Sequence, residues 1–342
     1  MIDLNMPEIG FALRAVGKAA WLARQVQREL VSPALTKDDR SPVTVADFAI
    51  QAVVGCLLLQ AFPGGCLVAE EDSRALRNPK NGRTLELVAA FASRLLPEAT
   101  PDLICEWIDH GQGKPAGSFW TLDPVDGTKG FLRKEHYAVA LAYIVDGQVQ
   151  VGVLGCPNLA ETSHTDKDGT GSLVIAARGQ GSWMTPLFGV GSWQATMDTD
   201  NGMSFQRLYV STLSDPTQAR ILRSVESDHT NVGQIDEFSQ ALGVQILPQH
   251  MDSQAKYAIL AASHGDLYLR LLSPDQPDYR EKIWDQAAGS LILEEAGGRI
   301  TDLDGLPLDF TTGRSLNHNR GILASNGLLH TAALRALISV GA

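Results

Sequence analysis

The sequence predicts a two-part fold: an α+β half carrying a mostly antiparallel sheet, then a smaller α/β half. Three observations predict it. Between residues 119 and 184, short β-rich runs succeed one another across tight turns. Beyond residue 204, strand-like runs alternate with helical periodicity. Residues 186–204, rich in Gly, Ser, Thr and Asp, fit neither pattern, and the domain junction is placed there, giving 1–195 and 196–342 around a shared cleft. A chain of 342 residues is long enough for two such units.

Each element follows from local pattern. Ile9, Leu13, Val16, Ala20 and Ala23 recur at helical spacing, so 7–31 is expected to be an amphipathic helix. Residues 36–42 are a polar loop, and a second helix is expected from about 44–47 to Phe62. Cys66 to Ala69 reads as a short strand ending at Glu70-Glu71-Asp72. Phe119 to Leu122 reads as another, and Pro124, with φ fixed and no N–H, is expected to end it. Residues 137–144 and 148–154 flank Asp146-Gly147, a strong hairpin signal. Further strands are expected at 172–177, 181–184, 207–211, 244–247, 266–271 and 322–325. Helices are expected at 216–226, 232–242, 253–262, 284–296 and 327–339.

Composition excludes several function classes. The chain is 44% hydrophobic with a formal charge of -11, which argues against a nucleic-acid polymer as partner, since phosphate backbones reward clustered Lys and Arg. A bound metal would still let an acidic protein take a small anion by reversing the local field. Cys56, Cys66, Cys105 and Cys156 are widely spaced in apolar contexts, as free thiols in a reducing compartment are. The eight histidines form no HxH, HxxH or HExxH cluster, so zinc is not expected. Arg14, Lys18, Arg24 and Arg28 interrupt the first thirty residues, which excludes a signal-peptide core. The longest apolar stretch, Phe48 to Phe62, is too short to cross a bilayer. The expectation is a soluble, cytoplasmic monomer with a small-molecule partner and no membrane.

The chemistry concentrates at Asp123-Pro124-Val125-Asp126-Gly127-Thr128. Two carboxylates three residues apart stand at a strand end, and Asp-Gly turns the chain so that the amides of Gly127, Thr128 and Lys129 lie beside them. Hard cations take oxygen ligands, and phosphate takes backbone N–H groups next to a cation. The turn therefore offers both halves of a metal-dependent phosphatase. Elsewhere the residues alone say less. Glu70-Glu71-Asp72 reads as a solvated loop, and Asp47 and Asp285 read as helix caps.

The run DPVDGTKGF resembles the signature of the inositol monophosphatase superfamily, Mg2+-dependent, lithium-sensitive phosphomonoesterases. Trp284-Asp285-Gln286-Ala287-Ala288-Gly289, followed by Glu295-Ala296-Gly297-Gly298, resembles its C-terminal motif. The resemblance implies a layered αβαβα sandwich and two or three Mg2+ ions held by Glu70, Asp123, Asp126, Asp285 and the Val125 carbonyl. It also implies an attacking water held by Asp47 and Thr128, with the Thr128 hydroxyl donating to Asp47. Gly127 and Thr128 would hold phosphate oxygens through their amides. The loop of Lys37, Asp38 and Asp39 would help organise an additional ion, with the choice between Asp38 and Asp39 open.

Thr128 to Arg133, Gly155 to Leu159, and Asp252 to Tyr257 before Asp266 to Arg270 narrow the resemblance to the 3'(2'),5'-bisphosphate nucleotidases. That branch implies removal of the 3'-phosphate of 3'-phosphoadenosine 5'-phosphate to give AMP, and action on its 5'-phosphosulfate. An inositol mono- or polyphosphate phosphatase on the same scaffold is the alternative, and a non-catalytic nucleotide-binding protein a third reading. Ser253, Lys256 and Arg270 would take the 5'-phosphate, and His229 would lie near the base. One departure bears on loop shape beside the site. After Arg133 the family usually has Gly, an acid and Gln, where this chain has Lys134-Glu135-His136.

Overall fold

A computed structural model of the protein describes residues 2–30, 35–36, 42–43, 45–160, 165–188, 204–225 and 232–342. The first helix, α1 (Pro7–Glu29), opens with Pro in its first turn and Glu8 beside it, both suited to a helix N-terminus. Its expected stripe of Ile9, Leu13, Val16, Ala20 and Ala23 is buried throughout. A two-residue ladder, β1 (Leu35–Thr36) with β2 (Pro42–Val43), precedes α2 (Val45–Ala61). Helices α1 and α2 lie side by side on one face of the main sheet, joined there by α3 (Gly82–Ala92) and α4 (Pro101–Asp109).

That sheet has seven strands in sequential order: β3 (Leu67–Ala69), β4 (Ser118–Asp126), β5 (Ala138–Val145), β6 (Gln148–Cys156), β7 (Ser172–Ala177), β8 (Gly181–Pro186) and β9 (Gln206–Arg207). Among the described residues only the β3–β4 pair of this sheet is parallel. Strand alternation divides the sheet's side chains between two cores. Val139, Leu141, Val153, Leu173 and Ile175 face the α1–α2 layer, while Ala138, Ala140, Leu154, Val174 and Ala176 face the opposite side. The β5–β6 turn is the expected hairpin, with Asp146 at φ 48° and Gly147 at φ 77° as a two-residue primed turn requires.

The second core holds α7 (Ala255–Ala261) and α8 (Ala287–Glu295), with α8 laid across the strands of the main sheet. Beneath them lies a five-stranded sheet in the order β11 (Gln249–His250), β10 (Ile221–Arg223), β12 (Leu267–Arg270), β14 (Ile322–Ser325), β13 (Arg299–Thr301). Its far face packs against α6 (Val232–Leu242) and α9 (His330–Ser339), which enclose a third core. The layers run α, β, α, β, α, as the resemblance implies. Among the described residues no helix is long and apolar enough to cross a membrane, and all four cysteines are free thiols.

Several local expectations are corrected. Strand β4 does not stop at Pro124. It continues to Asp126 with a register shift between Asp123 and Asp126, which pair with Ala140 and Ala138. Proline is tolerated there because a bulge leaves a residue outside the ladder. The helix expected at 216–226 is a single 3-10 turn, Pro216–Gln218, followed by β10. Ile221 and Leu222 are buried and pair parallel with Leu267 and Tyr268, so sheet pairing overrides helical propensity. The strand expected at 244–247 is absent, and Leu247 is 86% exposed; pairing begins only at Gln249. Helices α3 and α4 occupy a stretch where no element is expected from the sequence. The junction at 195–196 falls outside the described residues, and β9 beyond it returns to pair with β8.

His330 opens α9 with its ring wholly buried between the Thr301 and Ser325 hydroxyls, at 3.0 and 2.9 Å. Burial, with Arg299 adding to it, pushes its pKa down to about 4. Because the folded value lies below the unfolded one, the neutral ring's stabilisation is complete above about pH 6.5 and is lost as pH falls toward 4. The loss is expected to be roughly 2–3 kcal/mol. Denaturant titrations at pH 7 and pH 4.5 should show that His330→Gln removes this acid-side slope.

Candidate active site

The site forms where four chain segments end beside one another. Strand β3 ends at Ala69 and delivers Glu70; β4 delivers Asp123, Val125 and Asp126 through its bulge; the first turn of α2 carries Asp47; and Asp285 stands two residues before α8. Asp47 and Asp123 are buried, at 1% and 3% exposure, in a setting where an isolated carboxylate is costly. Burial raises the Asp123 carboxyl well above the usual carboxylate range, and the charges of Glu70, Asp126, Asp285 and Asp47 push it the same way. Asp285 is raised by burial and by Glu281, Asp126 and Glu70, against the pull of Arg270. Asp126 is also raised by burial, opposed by Lys256, the Gln254 amide and Arg270. Five acids from the sequence reading thus share one electrostatic environment.

These residues fit a hard divalent cation. Asp123 Oδ1 is buried with no hydrogen-bond donor among the described residues, a cost that a coordinated cation would remove. Among the described residues no three His, Cys, Asp or Glu side chains already stand in a metal-holding arrangement. Carboxylates without a counter-charge repel one another, and an ion that keeps waters and binds substrate phosphate does not need an all-protein cage.

After Asp126, Gly127 takes φ 85°, a left-handed conformation that turns the chain into the short helix α5 (Thr128–Arg133). The Thr128 hydroxyl donates to the Val125 carbonyl at 3.1 Å rather than to Asp47, which corrects the expected pairing. That carbonyl is the nearest acceptor back across the turn, and a hydroxyl has only one proton to give. The Lys134-Glu135-His136 departure forms the end of α5. Lys134 sits at φ 60° where the family usually has Gly, and Glu135 N–H donates back to the Gly130 carbonyl at 2.8 Å. Arg133 pairs with Glu135 and with Asp252, tying α5 to the segment that carries Ser253.

The cations expected to receive a second anion stand on the Asp126 side, and both are engaged. Lys256 is buried; its ammonium donates to the Met251 carbonyl at 3.2 Å and lies 4.9 Å from the Tyr268 ring. Burial pulls its pKa down to about 8, against the raising effect of Asp126 and Asp252. Arg270 pairs with Glu281 at 2.7 Å and sits 5.6 Å from the Tyr279 ring. Ser253, at φ 68°, accepts from Ala255 N–H at 3.2 Å. His229, Lys37, Asp38 and Asp39 lie outside the described residues.

Three positions escaped the sequence reading. Gln51, one turn along α2 from Asp47, both donates to the Glu71 carbonyl (2.6 Å) and accepts from the Glu71 N–H (2.8 Å), which holds the loop beside Glu70. Its spacing of four from Asp47 on a helix was the available signal. Gln254 donates its N–H to Asp126 Oδ2 at 2.5 Å, its side-chain amide to the Trp284 carbonyl at 2.9 Å, and accepts from Gly289 N–H at 3.0 Å. Glu281 holds Arg270 and also accepts from Gln286, which accepts in turn from the Tyr257 hydroxyl. Gly289 is required here, since a Cβ would stand 2.0 Å from the Tyr257 ring.

Comparison with known proteins agrees with this architecture. A profile described as "Inositol monophosphatase family" matches residues 7–341. A protein of Emericella nidulans named 3'(2'),5'-bisphosphate nucleotidase is 37% identical over 339 residues, covering 95% of this chain and 96% of that one. A protein of Oryza sativa with the same name is 38% identical over 345 residues, covering 96% and 93%. Among solved structures, the Thermotoga maritima IMPase superposes with a TM-score of 0.66 at 19% identity, over 98% of each chain, which shows the shared fold. The chain belongs to the inositol monophosphatase family.

Proposed function

We propose that the protein is an Mg2+-dependent phosphomonoesterase that removes the 3'-phosphate of 3'-phosphoadenosine 5'-phosphate to give AMP, with its 5'-phosphosulfate as a second substrate. One observation carries the phosphatase reading: acids from separate chain segments adjoin one another, and the charges of Glu70 and Asp126 oppose ionisation of both Asp123 and Asp285, so the site favours positive charge. The relatives named 3'(2'),5'-bisphosphate nucleotidase support the choice of substrate.

Glu70, Asp123, Asp126, Asp285 and the Val125 carbonyl would hold the cations, whose chemistry is to neutralise phosphate charge and acidify a bound water. The chain's own groups do the rest. Asp47, on the buried first turn of α2, accepts the proton of the attacking water. The Thr128 hydroxyl donates its hydrogen bond to the Val125 carbonyl, so Oγ1 meets that water as an acceptor and fixes its line of approach. The amides of Gly127 and Thr128, at the start of α5, have no intrahelical partner and can meet phosphate oxygens. Lys256 and Arg270 supply positive charge for a second phosphate on the Asp126 side, and His229 would lie near the base.

Phosphate-release kinetics test the reading. With Mg2+, 3'-phosphoadenosine 5'-phosphate is expected to turn over with kcat/KM at least tenfold above inositol 1,4-bisphosphate. A preference for the inositol ester would assign the alternative phosphatase activity instead. No release from either ester would leave a nucleotide-binding protein without catalysis.

A further inference from the structure

Arg314 connects the two halves of the carboxylate site. It lies in the loop between β13 and β14, remote in sequence from every acid it adjoins. Its guanidinium donates to the carbonyl of Ala69, the last residue of β3 before Glu70, and to the Gly111 carbonyl at 3.4 Å. Gly111 in turn accepts from Ala69 N–H at 2.8 Å, so the guanidinium closes over the end of that strand. The same group lies 4.8 Å from the ring centroid of Trp284, the residue before Asp285.

The backbone around Arg314 makes the second connection. Ile283 N–H donates to the Arg314 carbonyl at 3.2 Å, Leu316 N–H donates to the Glu281 carbonyl at 2.9 Å, and Lys282 bridges to Ser315. Residues 281–283, which lead into Asp285, are therefore paired with 314–316. One residue grips both the segment that delivers Glu70 and the segment that delivers Asp285. The task suits arginine, whose rigid planar fork can reach two carbonyls while the same group lies beside an indole; a lysine ammonium can donate and approach a ring but lacks the fixed fork and planar face.

We propose that Arg314 is a positioning residue: it fixes Glu70 relative to Asp285 and thereby sets the site's affinity for a divalent cation. The proposal rests on the reading of these acids as cation ligands. The two roles available to a positive charge here have opposite signs. As a charge beside Glu70 it would repel an incoming cation. As a splint it strengthens binding, because ligands already held apart at the working distance lose less freedom when the ion arrives.

Calorimetric titration of the full chain with Mg2+ or Mn2+, in the absence of any phosphate ester, separates the two. Arg314→Ala is expected to weaken cation binding by about 10–100-fold, the usual cost of losing a residue that orients metal ligands. Millimolar guanidinium ion is expected to restore part of that loss. Arg314→Lys retains charge and bulk, provides a folded comparison, and is expected to bind the cation several-fold more weakly than the wild type. Unchanged or tighter binding in either variant overturns the splint. A wild-type chain that binds no divalent cation overturns the cation-site reading instead.

Discussion

Asp123→Asn is expected to abolish phosphate release while making the cation-free protein more stable. Asp123 is buried, its Oδ1 lacks a hydrogen-bond partner, and four neighbouring acids oppose its ionisation. An amide removes one buried charge from that group at nearly constant volume, for a gain of roughly 0.5–2 kcal/mol, the range of single stabilising substitutions. Its pH signature follows from linkage. Asp123, Asp126 and Asp285 have folded pKa values above their unfolded ones. Their stabilisation is complete below about pH 4 and is lost as pH rises through the folded values. Thermal melts in chelator should show the midpoint of Asp123→Asn gaining on that of the wild type as pH rises, with the His330 contribution common to both. A variant less stable than the wild type at pH 8 in chelator would show that these carboxylates do not strain the fold.

Glu281→Ala is expected to destabilise the protein by about 3–5 kcal/mol, because it leaves a largely buried guanidinium without its carboxylate. The Glu281 side chain is 3% exposed and that of Arg270 20%, and they meet at 2.7 Å. The same substitution strips Gln286 of an acceptor beside Asp285. Replacing both partners, Arg270→Met with Glu281→Leu, should recover most of the loss, since no charge is then stranded. Urea denaturation of the single and double variants measures the difference. If the single variant lost less than 1 kcal/mol, the pair would be a solvated contact of little consequence.

Much of the fold was legible because its signals are local. The α1 stripe, the Asp146-Gly147 hairpin and strand β14 follow from periodicity and turn chemistry, and the structure keeps them within a residue or two. The misses share one cause, tertiary pairing. Ile221 and Leu222 read as helical until β12 and β11 align beside them, and Pro124 reads as a stop until a bulge accommodates it.

The candidate site divides along the same line. Asp123, Asp126 and Asp285 stand in contiguous motifs, and their convergence could be expected from resemblance. Gln51, Gln254, Glu281 and Arg314 act through partners at sequence separations of 5 to 245, most of them long-range. Apart from the helical spacing of Gln51 from Asp47, short-range pattern holds no trace of such contacts. The Thr128 hydroxyl is the reverse case, where resemblance pointed across to Asp47 and the local turn offered a nearer acceptor.

The central claim is tested most directly by titrating chelator-treated protein with Mg2+ in buffers of different ionisation enthalpy and counting protons released. Burial opposes ionisation of Asp123, Asp126 and Asp285, reinforced at Asp123 and Asp285 by neighbouring negative charge, and a cation that binds their ionised forms displaces the protons they hold. Saturable binding is expected, with proton release that grows as pH is lowered and shrinks in Asp123→Asn. Binding without proton release, or no binding at millimolar Mg2+, would contradict it.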